Sequence, residues 1–95
     1  WNLGALRGDT MVWPEAPKLE GITMQLLSRA WAQAGGQVVA QVLDNAELAR
    51  MQLVFCCYVA GVWPVVSIDE TALALDTQML ERLRADLAAA PASVP

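Results

Sequence analysis

Apolar residues recur at helical spacing in two stretches of the chain and run together without a charge in a third. Over 20–34, Leu27, Ala30, Trp31 and Ala34 fall at i, i+3, i+4 and i+7. Gln25, Ser28, Arg29 and Gln33 fill the other side, so the spacing predicts an amphipathic helix that ends at Gly35-Gly36. Over 68–89, Ile68, Ala72, Leu75, Met79, Leu83 and Leu87 recur every three or four positions. Ser67-Ile68-Asp69-Glu70 matches a capping box, with Ser67 as cap, and predicts a helix start there. Asp76 is a competing, later cap that would shorten the helix.

The third stretch, Met51–Ile68, holds no charged residue and lies between Arg50 and Asp69. Its length of 18 residues would rise about 27 Å as a helix, close to the roughly 30 Å of a bilayer core. Gly61 and Pro64 sit inside it, and a spanning helix must tolerate both. Read instead as strands, Leu53–Val59 is β-branched and aromatic with both faces apolar, as in a covered central strand. Ala60–Pro64 then turns or bulges, and Val65–Ser67 is a short second strand with Pro64 at its start. The strand pair accounts for Gly61 and Pro64 and is preferred; one transmembrane helix is the alternative.

The remaining segments are less regular. Gly4, Gly8, Pro14 and Pro17 punctuate 1–19, where Thr10–Trp13 is a short strand ended by Pro14. In 37–50, Val38, Val42 and Ala46 share a helical stripe and predict a second helix; the rival is a strand over Gln37–Leu43 with a turn at Asp44-Asn45. The tail 90–95, with Pro91 and Pro95, cannot continue a helix and is expected to fray. Without a repeat or a long linker, the 95 residues are read as one domain: 1–19 irregular or strand, 20–50 helical, 51–67 hydrophobic strands, 68–89 helix, 90–95 tail. The fold class is α+β, a central hydrophobic strand pair with two or three helices; an all-α fold is the alternative.

Composition adds one pressure. The chain is 56% apolar and 17% charged, against about 45–50% and about 25% for ordinary soluble domains. So small a chain has little interior in which to hide that surplus. A net charge of −4, with its six basic residues scattered, argues against nucleic acid. Two adjacent cysteines and no spaced set point to a reducing compartment, read as the cytoplasm. The first residue, Trp1, suggests a processed or trimmed chain.

Candidate chemistry is thin. The sequence contains no histidine, which removes the usual zinc, haem and histidine acid–base arrangements. Cys56-Cys57 could form a strained vicinal disulfide, but neighbours on a strand face opposite ways and read more simply as small hydrophobes. Arg7-Gly8-Asp9 spells a short adhesion tripeptide and equally a polar turn. Asp69 and Glu70 are already used as capping residues, and Glu81 and Asp86 lie on a solvated helix face. Gly35-Gly36 lacks the spacing of a phosphate loop. No catalytic residue, metal site or cofactor is expected. Four tryptophans are the stronger clue: Trp31 fits a helix core face, whereas Trp1, Trp13 and Trp63 lie among turn residues and are the candidate partner-binding positions.

These features predict a non-enzymatic protein-interaction domain or accessory subunit, binding another protein or itself. A single-pass membrane subunit is the alternative.

Overall fold

The computed structural model describes residues 2–15, 21–58 and 61–89. It is mixed α+β, as the sequence predicts. Five strands form one sheet: β1 Asn2–Arg7, β2 Thr10–Pro14, β3 Gln37–Gln41, β4 Leu53–Tyr58 and β5 Gly61–Pro64, in the order β3-β2-β1-β4-β5. All neighbours are antiparallel except β2 and β3, which run parallel and are joined through helix α1, Ile22–Gln33. A one-turn helix α2, Asn45–Leu48, precedes β4. A separate hairpin of two-residue strands, β6 Ser67–Ile68 and β7 Thr71–Ala72, leads to α3, Thr77–Ala89.

Alternation along the strands sends side chains to two cores. Leu6, Met11, Trp13, Leu53, Phe55, Cys57 and Val62 face α1 and α3, which contribute Met24, Leu27, Trp31, Leu80 and Leu83. Ala5, Val12 and Val54 face the other way, toward Leu48, Met51 and Leu73. Across the helices, the Arg82 guanidinium lies 4.2 Å above the Trp31 ring and ties α3 to α1.

The central run is strand and not a helix, but it divides differently from the expectation: Gly61–Pro64 is strand β5 and not a turn, because its residues pair with Tyr58 to Phe55, and Val65 and Val66 lie outside the strands. Among the described residues no helix is long and apolar enough to cross a membrane. Two helix expectations need correction. Residues 37–41 are strand β3, not the start of a second helix. Gly35, at φ 95°, stops α1, and the Gly36 N–H returns to the Trp31 carbonyl while Gly35 N–H bonds Ala32 O. The chain then leaves beside β2, where Gln37 N–H bonds Asp9 O and the Val38-Val39 pair adds to the sheet. The last helix begins at Thr77, not Ile68. Asp69 and Glu70 have φ of 47° and 67° and form the hairpin turn between β6 and β7. Asp76 is the cap used, its Oδ1 accepting from Met79 N–H at 3.0 Å. The expected tail at 90–95 lies outside the described residues.

Candidate functional site

One end of the sheet brings a buried asparagine against a helix start. There β1 begins, β4 ends, β5 begins and α1 starts, so four chain ends of different elements meet. Asn2 is buried at 8% exposure and pairs with Cys57 across the ladder. Its side-chain oxygen accepts from the Gly21 N–H at 3.4 Å, which pins the first turn of α1 to the sheet. Gly21 is the N-cap in extended conformation, and with no side chain it cannot cap the helix. The first turn carries no acid either. Gly21 itself thus offers no side-chain oxygen to the turn, and the positive end of the helix dipole there suits an anion. Thr23, the second residue of the helix, is buried.

On the opposite face of the sheet at the same end lies an apolar groove of about 650 Å³, lined by Leu3, Cys56, Tyr58, Trp63, Val65 and Ile68. Leu3 pairs with Cys56 and Cys56 with Trp63, so one row of side chains crosses three strands as its floor. The two cysteines are free and divide between the faces. Cys57 is in the helix-side core, where burial pushes its thiol up to about 11, the backbone of Asn2 working the other way. Cys56 is half-buried in the groove. A smaller hollow of about 390 Å³ between β5 and α3 includes Arg84. Its guanidinium is already engaged, Nε and Nη2 both donating to Val62 O at 3.1 and 2.9 Å.

The three tryptophans expected at a partner surface fall in different places. Trp13 is 3% exposed, its ring edge-on to Phe55 and its indole N–H donating to Ser28 Oγ at 2.9 Å. Trp63 is 46% exposed over the groove. Trp1 lies outside the described residues. Arg7-Gly8-Asp9 is the turn between β1 and β2: Gly8, at φ 61°, donates to Gln52 Oε1, and Arg7 stands 3.9 Å from Glu47. Among the described residues no cluster of three or more potential metal ligands occurs. Reading the sequence alone missed Asn2, Gly21 and Thr23. The available signal was a helix beginning Gly-Ile-Thr with neither a capping side chain nor an acid in its first turn.

No protein-family model matches the chain, and no curated protein does. Solved structures match it closely in shape. A 4-amino-4-deoxychorismate lyase from Pseudomonas aeruginosa is 33% identical with a TM-score of 0.68, covering 90% of this chain and 34% of that one. A T.th. branched-chain amino acid aminotransferase, complexed with N-(5'-phosphopyridoxyl)-L-glutamate, is 28% identical with a TM-score of 0.74, covering 92% and 30%. An aminotransferase from Brucella abortus, bound to the cofactor PLP, is 26% identical with a TM-score of 0.73, covering 90% and 31%. The chain thus spans about a third of the length of the enzymes it matches. Its sheet and helices form a fold carried by catalytic enzymes, which overturns the expectation of a non-enzymatic interaction domain, accessory subunit or membrane subunit.

Proposed function

We propose that this chain is about one third of a pyridoxal-phosphate-dependent enzyme of the aminotransferase or aminodeoxychorismate lyase kind, and that it supplies the phosphate end of the cofactor site. The observation that carries this reading is the likeness over nine-tenths of the chain to enzymes whose names include that cofactor or its phosphopyridoxyl adduct. The 33% identity to the lyase and 28% to the aminotransferase support the two activities about equally.

The residues present fit the phosphate and not the whole cofactor. The first turn of α1, with Gly21 as cap and Ile22 as the first helical residue, would hold a phosphate at the positive end of the helix, the Ile22 N–H donating to it. Asn2 would keep that turn in register with the sheet by accepting from Gly21 N–H. The described residues include no lysine to bind the cofactor's aldehyde, and Lys18, the chain's one lysine, lies outside them. When bound, the cofactor supplies an electron sink for reactions at an amino-bearing carbon. This chain's residues would anchor and orient it. The free cysteines suit a reducing compartment, and we place the enzyme in the cytoplasm on that ground.

Ile22→Pro tests the anchoring. Ile22 is the first helical residue and follows an extended Gly21, so proline is accommodated there while one N–H donor is removed. Binding of pyridoxal phosphate by the full-length polypeptide, followed by equilibrium dialysis and visible absorbance, should weaken about 10-fold or more in Ile22→Pro. Inorganic phosphate should compete. A wild-type polypeptide that binds no pyridoxal phosphate would sink the proposal. An Ile22→Pro variant of unchanged affinity would move the phosphate away from α1.

A further inference from the structure

β5 is the last strand of the sheet and pairs only with β4. In an antiparallel pair, alternate residues turn both N–H and C=O toward the neighbouring strand, and the residues between turn theirs away. Just past β5, the Val65 N–H donates to Val54 O at 2.8 Å. Counting back along the same ladder, Trp63 and Gly61 turn inward to β4, while Val62 and Pro64 turn outward. An outward row of main-chain groups is a template on which another extended chain can add. No residue of β5 carries a charge, so nothing on the strand itself repels a copy, and Trp63, 46% exposed, would add side-chain contact to such a pairing.

The row is nevertheless interrupted twice. Pro64 has no N–H to offer. The outward carbonyl of Val62 is taken from α3, where Arg84 Nε and Nη2 both donate to it at 3.1 and 2.9 Å. Bonds from a charged donor are of the stronger kind. To make them, the flat guanidinium lies beside the strand, in the space an added chain would occupy. Glu81, three residues earlier on α3, stands 3.5 Å from the remaining nitrogen, Nη1, and holds the group from the other side. Of the donors on the outward row of β5, only the Val62 N–H is left.

We infer that Arg84 and Pro64 together close the β5 edge against a second copy of this chain. A copy presents the same uncharged strand, and two β5 strands running antiparallel across a two-fold axis would exchange the outward groups of Val62 and Pro64. Arg84 withholds the acceptor and blocks the approach, and Pro64 withholds a donor. The charge that edge strands often carry on their own side chains arrives here from the helix packed behind the strand. The role concerns assembly and holds whether or not the chain binds a cofactor.

Two substitutions open the edge by different routes. Arg84→Met keeps a long side chain on α3 and releases Val62 O, whereas Pro64→Val restores an outward N–H and leaves α3 untouched. Both are made in the full-length polypeptide, alongside Arg84→Lys, which returns a charged donor. Sedimentation over a wide range of concentration measures self-association, and amide hydrogen exchange reads the Val62 N–H, which faces outward and exchanges fast while the edge is closed. Arg84→Met should tighten self-association about 10-fold or more and Pro64→Val about threefold, with Arg84→Lys returning toward the unsubstituted protein. In Arg84→Met the Val62 amide should exchange more slowly as concentration rises. A folded Arg84→Met variant that associates no more than the unsubstituted protein overturns the inference. So does association that leaves Val62 exchange unchanged, which would place the contact elsewhere. If Arg84→Met fails to fold, seen as fast exchange at Phe55 in the core, Pro64→Val decides: tighter association with a slowed Val62 amide upholds the closed edge, and unchanged association overturns it.

Discussion

On one face of the sheet, helices of 12 and 13 residues close over Leu6, Met11, Leu53 and Phe55; on the other, a one-turn helix and a hairpin of two-residue strands cover Ala5, Val12 and Val54. The residues on the helix side are large and complementary. Phe55 stands edge-on to Trp13 with ring centroids 5.5 Å apart, above Gly4, and Trp31 reaches Asp9 O with its indole N–H. The residues at the centre of the other side are small, and its rim is aromatic and exposed. The helix side is a finished core, whereas the other side is finished only at its centre. The difference shows that burial at the strand centres is no guide to whether a face is complete.

The largest expected effect lies on the finished face. Phe55→Ala removes a wholly buried ring and should cost about 3–5 kcal/mol, seen as a lower denaturation midpoint in urea. A loss under about 1 kcal/mol would mean that this face is as loose as the other. Next is Gly4→Ala. An added Cβ would meet the Phe55 ring at 2.6 Å and the Trp13 ring at 2.7 Å, and neither buried ring has room to withdraw. That overpacking should cost about 1–3 kcal/mol by the same measurement.

The raised Cys57 thiol makes a pH test of similar size. Folded protein holds this proton to about 11, against an ordinary value of 9.0. The folded state therefore binds more protons than the unfolded between those values, so stability is full below about 9 and falls as pH rises toward 11. The expected loss is on the order of 2 kcal/mol, and Cys57→Ala should flatten the slope. Asp76→Ala removes the cap of α3 and should cost about 1 kcal/mol, while Ser67→Ala should change stability by less than about 0.5 kcal/mol. The reverse order would restore the earlier helix start.

The smallest effect belongs to the open face. In this chain alone Trp63→Ala should cost less than about 1 kcal/mol, because half of the ring is already in water. A loss as large as that of Phe55→Ala would mean that this face is packed as closely as the helix side.

Leu53–Tyr58 was legible because it is apolar on both faces, whereas Gly61–Pro64, read as a turn from its glycine and proline, became a strand through its pairing with Tyr58 to Phe55. The split of Cys56 and Cys57 between faces follows from strand geometry alone. The segment 37–41 was not legible, since Val38 and Val42 satisfy a helical stripe while Val38-Val39 equally suits a strand. Pairing with β2 decided between them. The box Ser67–Glu70 fits a helix start residue by residue, yet Ile68 pairs with Thr71 and the turn between them takes Asp69 and Glu70 instead. At the candidate site, Asn2 and Gly21 are 19 positions apart, and no local pattern joins them. Trp13 read as a surface residue from its turn-rich neighbours because the helix that buries it lies farther along the chain.

By itself the sequence determined the α+β class, the β-branched central strand, the glycine stop after α1, the absence of histidine chemistry and the apolar surplus. Each of these depends on backbone preference, side-chain period or composition, which are properties of short segments or of the whole count. Only the tertiary structure decided that 37–41 joins β2, that Asp76 caps the last helix, that Gly21 at the start of α1 meets Asn2, and that the two faces of the sheet are unequally covered. Those outcomes turn on contacts between residues far apart in the chain, where one good pairing partner outweighs a local preference worth a few tenths of a kcal/mol to about 1 kcal/mol.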